Sequence, residues 1–118
     1  MGGGFAVLMG DVPAVKAIAP NYGLVPDDEK IRQLCPTVAS YGALDLAFRG
    51  QGERLRAVLE AAGIPNDVKI YERAGHSFMN DRGPAVIRMA GKLAAVGYRH
   101  EAAEDAWARI LSFFGDHV

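Results

Sequence analysis

Cysteine is nearly absent from this 118-residue chain, which contains only Cys35. That excludes an internal disulfide framework and a cysteine-rich zinc site, and it fits a reducing compartment, so the cytoplasm is the default location. Long apolar runs are missing too. "FAVLM" and "VKAIAP" fall far short of the roughly 20 residues that cross a bilayer. The opening "MGGGFAVLMG" has neither a basic leader nor a small-residue cleavage pattern, so neither a membrane anchor nor a signal peptide is expected. Charge of one sign is not in excess: 13 Lys and Arg stand against 14 Asp and Glu, for a net charge of -1. Without a like-charge block, no nucleic-acid or membrane-surface partner is expected, and a small neutral or anionic partner fits better. No H-E-x-x-H motif or carboxylate cluster suggests a metal, and the opening glycines lack the G-K-[ST] of a P-loop and the pattern of a dinucleotide fingerprint. No cofactor is expected.

What remains is an ordinary globular composition, with 50% hydrophobic and 23% charged residues in a chain the size of one domain. Phe5 to about Leu8 reads as a short buried helix, and "AVKAIAPNYG" as a short strand stopped by Pro20, Asn21 and Gly23. "VPDDEKIRQLCP" places acids first, bases later and a proline at the end, the order that the helix dipole favours, so a brief second helix is expected. "PTVASYGALD" is a strand ending in a glycine turn. In "RGQGERLRAVLEAAGIP", Leu55, Val58, Leu59 and Ala62 form one apolar stripe before Gly63.

"NDVKIYERAGHSF" alternates Val68 and Ile70 with Lys69 and Tyr71, the half-buried pattern of a strand near a sheet edge. The tail repeats Ala103, Ala106, Trp107, Ile110, Leu111 and Phe114 at helical spacing, which predicts an amphipathic C-terminal helix packing Trp107, Phe113 and Phe114 into the core. His100 and His117 flank polar residues and are expected to be solvated. Strands alternating with helices predict an α/β fold, a mainly parallel sheet with helices on both faces.

In such a sheet, ligand-facing residues lie at the carboxyl ends of the strands. Asp45 and His76 stand there, after "VASYGAL" and "VKIYERAG". Taken singly, an aspartate in a loop is usually a turn or cap residue and a histidine a hydrogen-bonded structural one. Taken together at consecutive strand ends, they match the need of an imidazole base for a carboxylate that fixes its tautomer. Their order, acid then histidine, is that of α/β-hydrolases, whose nucleophile precedes both. Cys35 stands at the opposite end of the strand from Asp45, roughly 30 Å away if extended, and reads as a small buried hydrophobe rather than a nucleophile.

These residues carry a resemblance to the dienelactone hydrolase family. "MGGGFA" is similar to the stretch just after the nucleophile in that family's G-x-C-x-G-G elbow, and "APNYG", "CPTVASYGALD", "AGHSFMN" and "DAWARILSFF" follow its later segments in order. The resemblance covers essentially the whole chain. It implies the C-terminal half of an α/β-hydrolase fold over residues 1–118, beginning just after the nucleophile elbow. It also implies hydrolysis of a lactone or carboxylic ester by a Cys-His-Asp triad. His76 is then general base and acid, Asp45 its acid partner, and Met1 the donor of an oxyanion-hole N–H. Gly2 and Gly3 would let the first helix pack beneath the elbow.

Where lactone-specific members carry an arginine four residues after the histidine, this chain has Asn80, with Arg82 shifted by two. Both become candidate substrate-binding residues. On this reading the nucleophile is absent and the chain alone is inactive. The alternative is a non-catalytic α/β module that binds a partner, or forms a homo-oligomer, through an exposed sheet edge.

Overall fold

A computed structural model describes residues 2–80 and 99–118. Helix α1 (Gly2–Leu8) and the short α2 (Asp28–Ile31) precede strand β1 (Thr37–Gly42). A 3-10 turn (Leu46–Phe48), helix α3 (Gln51–Ala61) and strand β2 (Asn66–Tyr71) follow, and helix α4 (His100–His117) ends the chain. The strands pair in parallel from Thr37↔Asn66 to Gly42↔Tyr71, so β1, α3 and β2 form one βαβ unit. Parallel neighbours need such a crossover, because no tight turn can return the chain to the same end of the sheet.

Each element ends for a local reason. In α2, the Asp27 carboxylate accepts the Lys30 N–H at 2.9 Å, a side-chain N-cap. Helix α3 stops at Gly63, whose φ of 68° lets the chain turn back so that Ile64 N–H donates to the Leu59 carbonyl at 3.0 Å. Arg54 then ties α3 to α2 through Asp28 and the Pro26 carbonyl.

Every residue of β1 is buried, and its side chains alternate between two covered faces. Ala39 and Tyr41 join Val68 in a core with Leu55, Val58 and Leu59 of α3, Val7 of α1, and Val25, Ile31 and Leu34. Val38 faces the other way, onto Ile110 and Phe113 of α4. Helices therefore cover both faces of the sheet, as the strand-helix alternation predicts. Arg109 of α4 also reaches the sheet, donating to Asp67 at 2.8 Å, to Ser40 at 3.3 Å and to the Tyr71 hydroxyl at 3.2 Å.

Five expectations change. The strand expected in "AVKAIAPNYG" is reduced to isolated bridges, Ile18↔Thr37 and Asn21↔Ser40, on the free side of β1. Ile18 N–H donates to the Pro36 carbonyl and Tyr22 N–H to Ser40; the donor between them falls on Pro20, which has no N–H to give. Helix α1 buries Val7 but leaves Phe5 and Leu8 exposed. Ala62 is exposed at the end of α3. In α4 the packed line is Ala103, Ala106, Ile110 and Phe113, with Trp107 and Leu111 exposed on its flank. Phe113 and Phe114 pack as expected, whereas the His117 ring is half-buried against Phe113, with centroids 4.3 Å apart. No helix among the described residues is long and apolar enough to cross a membrane.

Candidate active site

Beyond the carboxyl end of β1 the chain turns tightly. Ala43 N–H donates to the Tyr71 carbonyl and Leu44 N–H to the Ala74 carbonyl, each at 3.0 Å. These bonds lash the loop after β1 to the loop after β2. Gly42 permits the approach, since a Cβ there would lie 2.4 Å from the Ala74 carbonyl oxygen and 2.6 Å from that of Gly75. Asp45 sits on the first loop and His76 on the second, and they meet: His76 Nδ1 and Asp45 Oδ2 are 2.6 Å apart. A carboxylate at Nδ1 holds the proton on that nitrogen and leaves Nε2 for proton transfer.

The two partners differ in environment. Asp45 is 5% exposed, whereas the His76 side chain keeps 34% of its surface in solvent. The carboxylate is thus shielded behind the ring it orients. Two aromatic rings fix the imidazole further: Phe48, from the 3-10 turn that follows Asp45, stacks on it at 5.2 Å with 19° between planes, and Tyr22 meets it edge-on at 5.4 Å. Ser77 adopts a φ of 60°, a left-handed conformation uncommon for a residue with a side chain.

A concavity of about 320 Å³ opens beside the ring, lined by Gly2, Gly3, Asn21, His76, Ser77 and Asn80, with Ala19 and Tyr22 completing the wall. The first turn of α1 is therefore brought to the histidine. Gly3 makes this possible: a Cβ on it would lie 2.4 Å from the Asn21 carbonyl oxygen and 2.9 Å from Gly23 Cα. Of the residues singled out from sequence, His76 and Asp45 are brought together and Asn80 lines the same pocket. Met1 and Arg82 lie outside the described residues. Cys35 precedes β1 while Asp45 follows it, and burial pushes the Cys35 thiol up from its ordinary range, opposite to what a nucleophilic thiolate needs.

Sequence reasoning missed Phe48, Tyr22, Asn21 and Ser77. The last three lie in the quoted segments "APNYG" and "AGHSFMN", so adjacence to those motifs was the available signal. Phe48 had none.

Comparison with known proteins identifies the family and the fold. The family model described as "Dienelactone hydrolase family" matches residues 1–118. A Yersinia pestis protein named "Putative carboxymethylenebutenolidase" is 30% identical over 99 residues, covering 83% of this chain and 32% of that protein. A protein of the same name from Escherichia coli O157:H7 is 27% identical over 114 residues, covering 86% of this chain and 38% of its own length. Among solved structures, a "Putative Dienelactone Hydrolase" from Klebsiella pneumoniae superposes with a TM-score of 0.74 at 26% identity, covering 98% of this chain and 48% of that one. The α/β-hydrolase MGS-M1, from a deep-sea metagenome library, gives 0.63 at 11% identity, a likeness of fold alone. This chain spans about a third of the length of the two curated relatives and just under half of the two solved chains.

Proposed function

This chain belongs to the dienelactone hydrolase family, with an α/β-hydrolase fold, and we propose that it is the C-terminal, base-bearing part of an enzyme that hydrolyses a lactone or carboxylic ester. The observation that carries the reading is the 2.6 Å contact between His76 Nδ1 and Asp45 Oδ2 at the ends of adjacent parallel strands. The nucleophile is a cysteine in the portion of the relatives' length that this chain does not span. Among the described residues lining the pocket, none has a thiol, and only Ser77 and Tyr22 have a side-chain hydroxyl.

In this mechanism His76 Nε2 takes the thiol proton as sulfur attacks the acyl carbon, and Asp45 stabilises the imidazolium that results. Negative charge collects on the former carbonyl oxygen, where the backbone N–H that the family resemblance assigns to Met1 stabilises it. Collapse breaks the bond to the alkoxy oxygen, which takes the proton from Nε2. Water then yields a proton to the same nitrogen, its oxygen bonds to the acyl carbon, and the thiol leaves with that proton. The names of the curated relatives point to a carboxymethylene-substituted butenolide, a cyclic ester. The asparagine at position 80, where lactone-specific members carry arginine, favours a substrate without that carboxylate.

The test is ester hydrolysis by the 118-residue chain and by a longer protein that joins it to the preceding half of a family member. The longer protein should turn over an activated ester, and His76→Ala should abolish the rate. Hydrolysis by the isolated chain, lost on His76→Ala, would overturn the placement of the nucleophile.

A second reading rests on apolar exposure. Phe5 and Leu8 of α1, and Trp107 and Leu111 of α4, are 53% to 73% exposed along with Leu46, and the edge beside β1 is only bridged. Self-association through these surfaces would give a discrete oligomer by light scattering; a monomeric chain would dismiss it.

A further inference from the structure

One residue lining the His76 pocket carries a buried polar atom that the described residues leave unsatisfied. Asn21 Oδ1 is buried and has no hydrogen-bond partner among the described residues, although Asn21 lines the same concavity as His76 and Asn80. A buried acceptor without a donor loses its hydration and gains nothing in return, so most are paired and each exception asks for a cause.

The backbone that carries this side chain is held from both sides. Asn21 bridges to Ser40 of β1, and the next N–H, from Tyr22, donates to the Ser40 carbonyl at 2.8 Å. On the other flank the Asn21 carbonyl lies against Gly3 of α1, with no room even for a methyl group between them. Backbone relaxation therefore cannot carry the amide out to solvent without parting β1 from α1. Ala19, on the same face of the extended segment, also lines the pocket and is small enough to leave space in front of the amide.

We propose that Asn21 is a specificity-determining residue: its Oδ1 accepts a hydrogen bond from a hydroxyl on the acyl portion of the substrate, next to the scissile carbonyl. The preferred substrate is then a hydroxylated ester or lactone. This rests on the hydrolase reading above and extends it to substrate class. An acceptor that the described residues leave without a donor discriminates strongly, because an analogue with a methyl group in place of the hydroxyl leaves it orphaned after binding.

The test uses two neutral, hydrolytically inert carbonyl compounds of equal shape, glycolamide and propionamide, which differ in one hydroxyl. Each is titrated into the isotopically labelled 118-residue chain while the Asn21 side-chain amide and His76 ring signals are followed by NMR. Glycolamide should bind at least about fivefold more tightly than propionamide, the discrimination of one ordinary hydrogen bond, and should shift both residues. Asn21→Leu, which keeps the shape and removes the acceptor, should equalise the two. Asn21→Ala repeats the test should leucine disturb the fold, judged by the amide fingerprint. Equal binding by the native chain, or a glycolamide preference that survives both substitutions, would overturn the proposal while His76 shifts still support the hydrolase reading. If neither compound moves the His76 signals, in the 118-residue chain or in the longer protein, the pocket takes no acyl group and both readings fall.

Discussion

Replacing Gly42 with alanine tests whether backbone contact sets the geometry of the His76–Asp45 pair. The added Cβ would meet three backbone atoms: the Ala74 carbonyl oxygen at 2.4 Å, the Gly75 carbonyl oxygen at 2.6 Å and the Ala74 carbonyl carbon at 2.7 Å. No flexible side chain can move aside, so the segment before His76 must retreat by about 1 Å to reach ordinary van der Waals separation. That movement stretches the Leu44 N–H bond to the Ala74 carbonyl, now 3.0 Å. It also carries His76 away from Asp45, whose 2.6 Å separation would pass beyond hydrogen-bonding range. Overpacking of this kind costs about 1–3 kcal/mol, which lowers the melting temperature on the order of 4 °C per kcal/mol in a domain of this size. Misplacing a catalytic group by about 1 Å costs on the order of 100-fold in rate. Calorimetry on the chain reads the first effect, the downfield Nδ1 proton resonance of His76 the second, and ester turnover by the longer protein the third. An alanine variant with native melting temperature and an unchanged His76 proton signal would refute the argument.

Asp45→Asn should keep the fold but lower kcat of the longer protein by about 10⁴-fold, because an amide no longer holds the imidazole in the required tautomer; circular dichroism and steady-state kinetics separate the two. Tyr71 gives a pH dependence. Burial first, then donation of its hydroxyl to Asp105 at 2.6 Å, push its phenol from 10.0 up to about 12. A group raised in the folded state stabilises below its unfolded value, so this contribution is intact below pH 10 and lost as pH rises from 10 through about 12. Tyr71→Phe should flatten that part of the stability profile in denaturant titrations at alkaline pH. Arg109→Met should destabilise the chain on the order of 2 kcal/mol by stripping charged hydrogen bonds from Asp67, Ser40 and Tyr71; a urea midpoint unchanged from the native chain would contradict it.

The βαβ unit and the last helix were readable because each carries its own periodicity and its own stops. The pair at the site was readable because strand ends are where a parallel sheet presents its ligands, and because the motif order narrows what an aspartate and a histidine there can mean. Other features depend on partners distant in sequence. Arg109 gives no local sign that it reaches Asp67, which pairs with it across the sheet, and Phe48 gives none that it stacks on His76. Apolar spacing marks a stripe on α4 but not its centre. Trp107 and Leu111 belong to the same pattern as Ala106 and Ile110, and only the contact with β1 decides which side is covered. The interrupted edge at 18–21 was readable in principle, from Pro20 alone.

Two glycine contacts at the carboxyl end of the sheet now explain one another. Gly42 lets the His76 loop settle onto the turn that bears Asp45, and Gly3 lets α1 settle onto the Asn21–Gly23 turn beside the same histidine. Both are backbone against backbone, where neither rotamer changes nor water can absorb an error. The distance from the first turn of α1 to the imidazole is therefore set by how closely chain segments can stack rather than by side-chain packing. Where charge must be stabilised at a fixed place relative to a base, that is the stiffer construction. Of the opening glycines only Gly3 makes such a contact, and a Cβ on Gly2 or Gly4 would meet nothing within 4 Å. Gly3 and the glycine of "YGALD" thus serve one constraint from its two sides, and Asn21, whose backbone sits between β1 and Gly3 and whose amide oxygen has no partner among the described residues, lines the pocket that this constraint shapes.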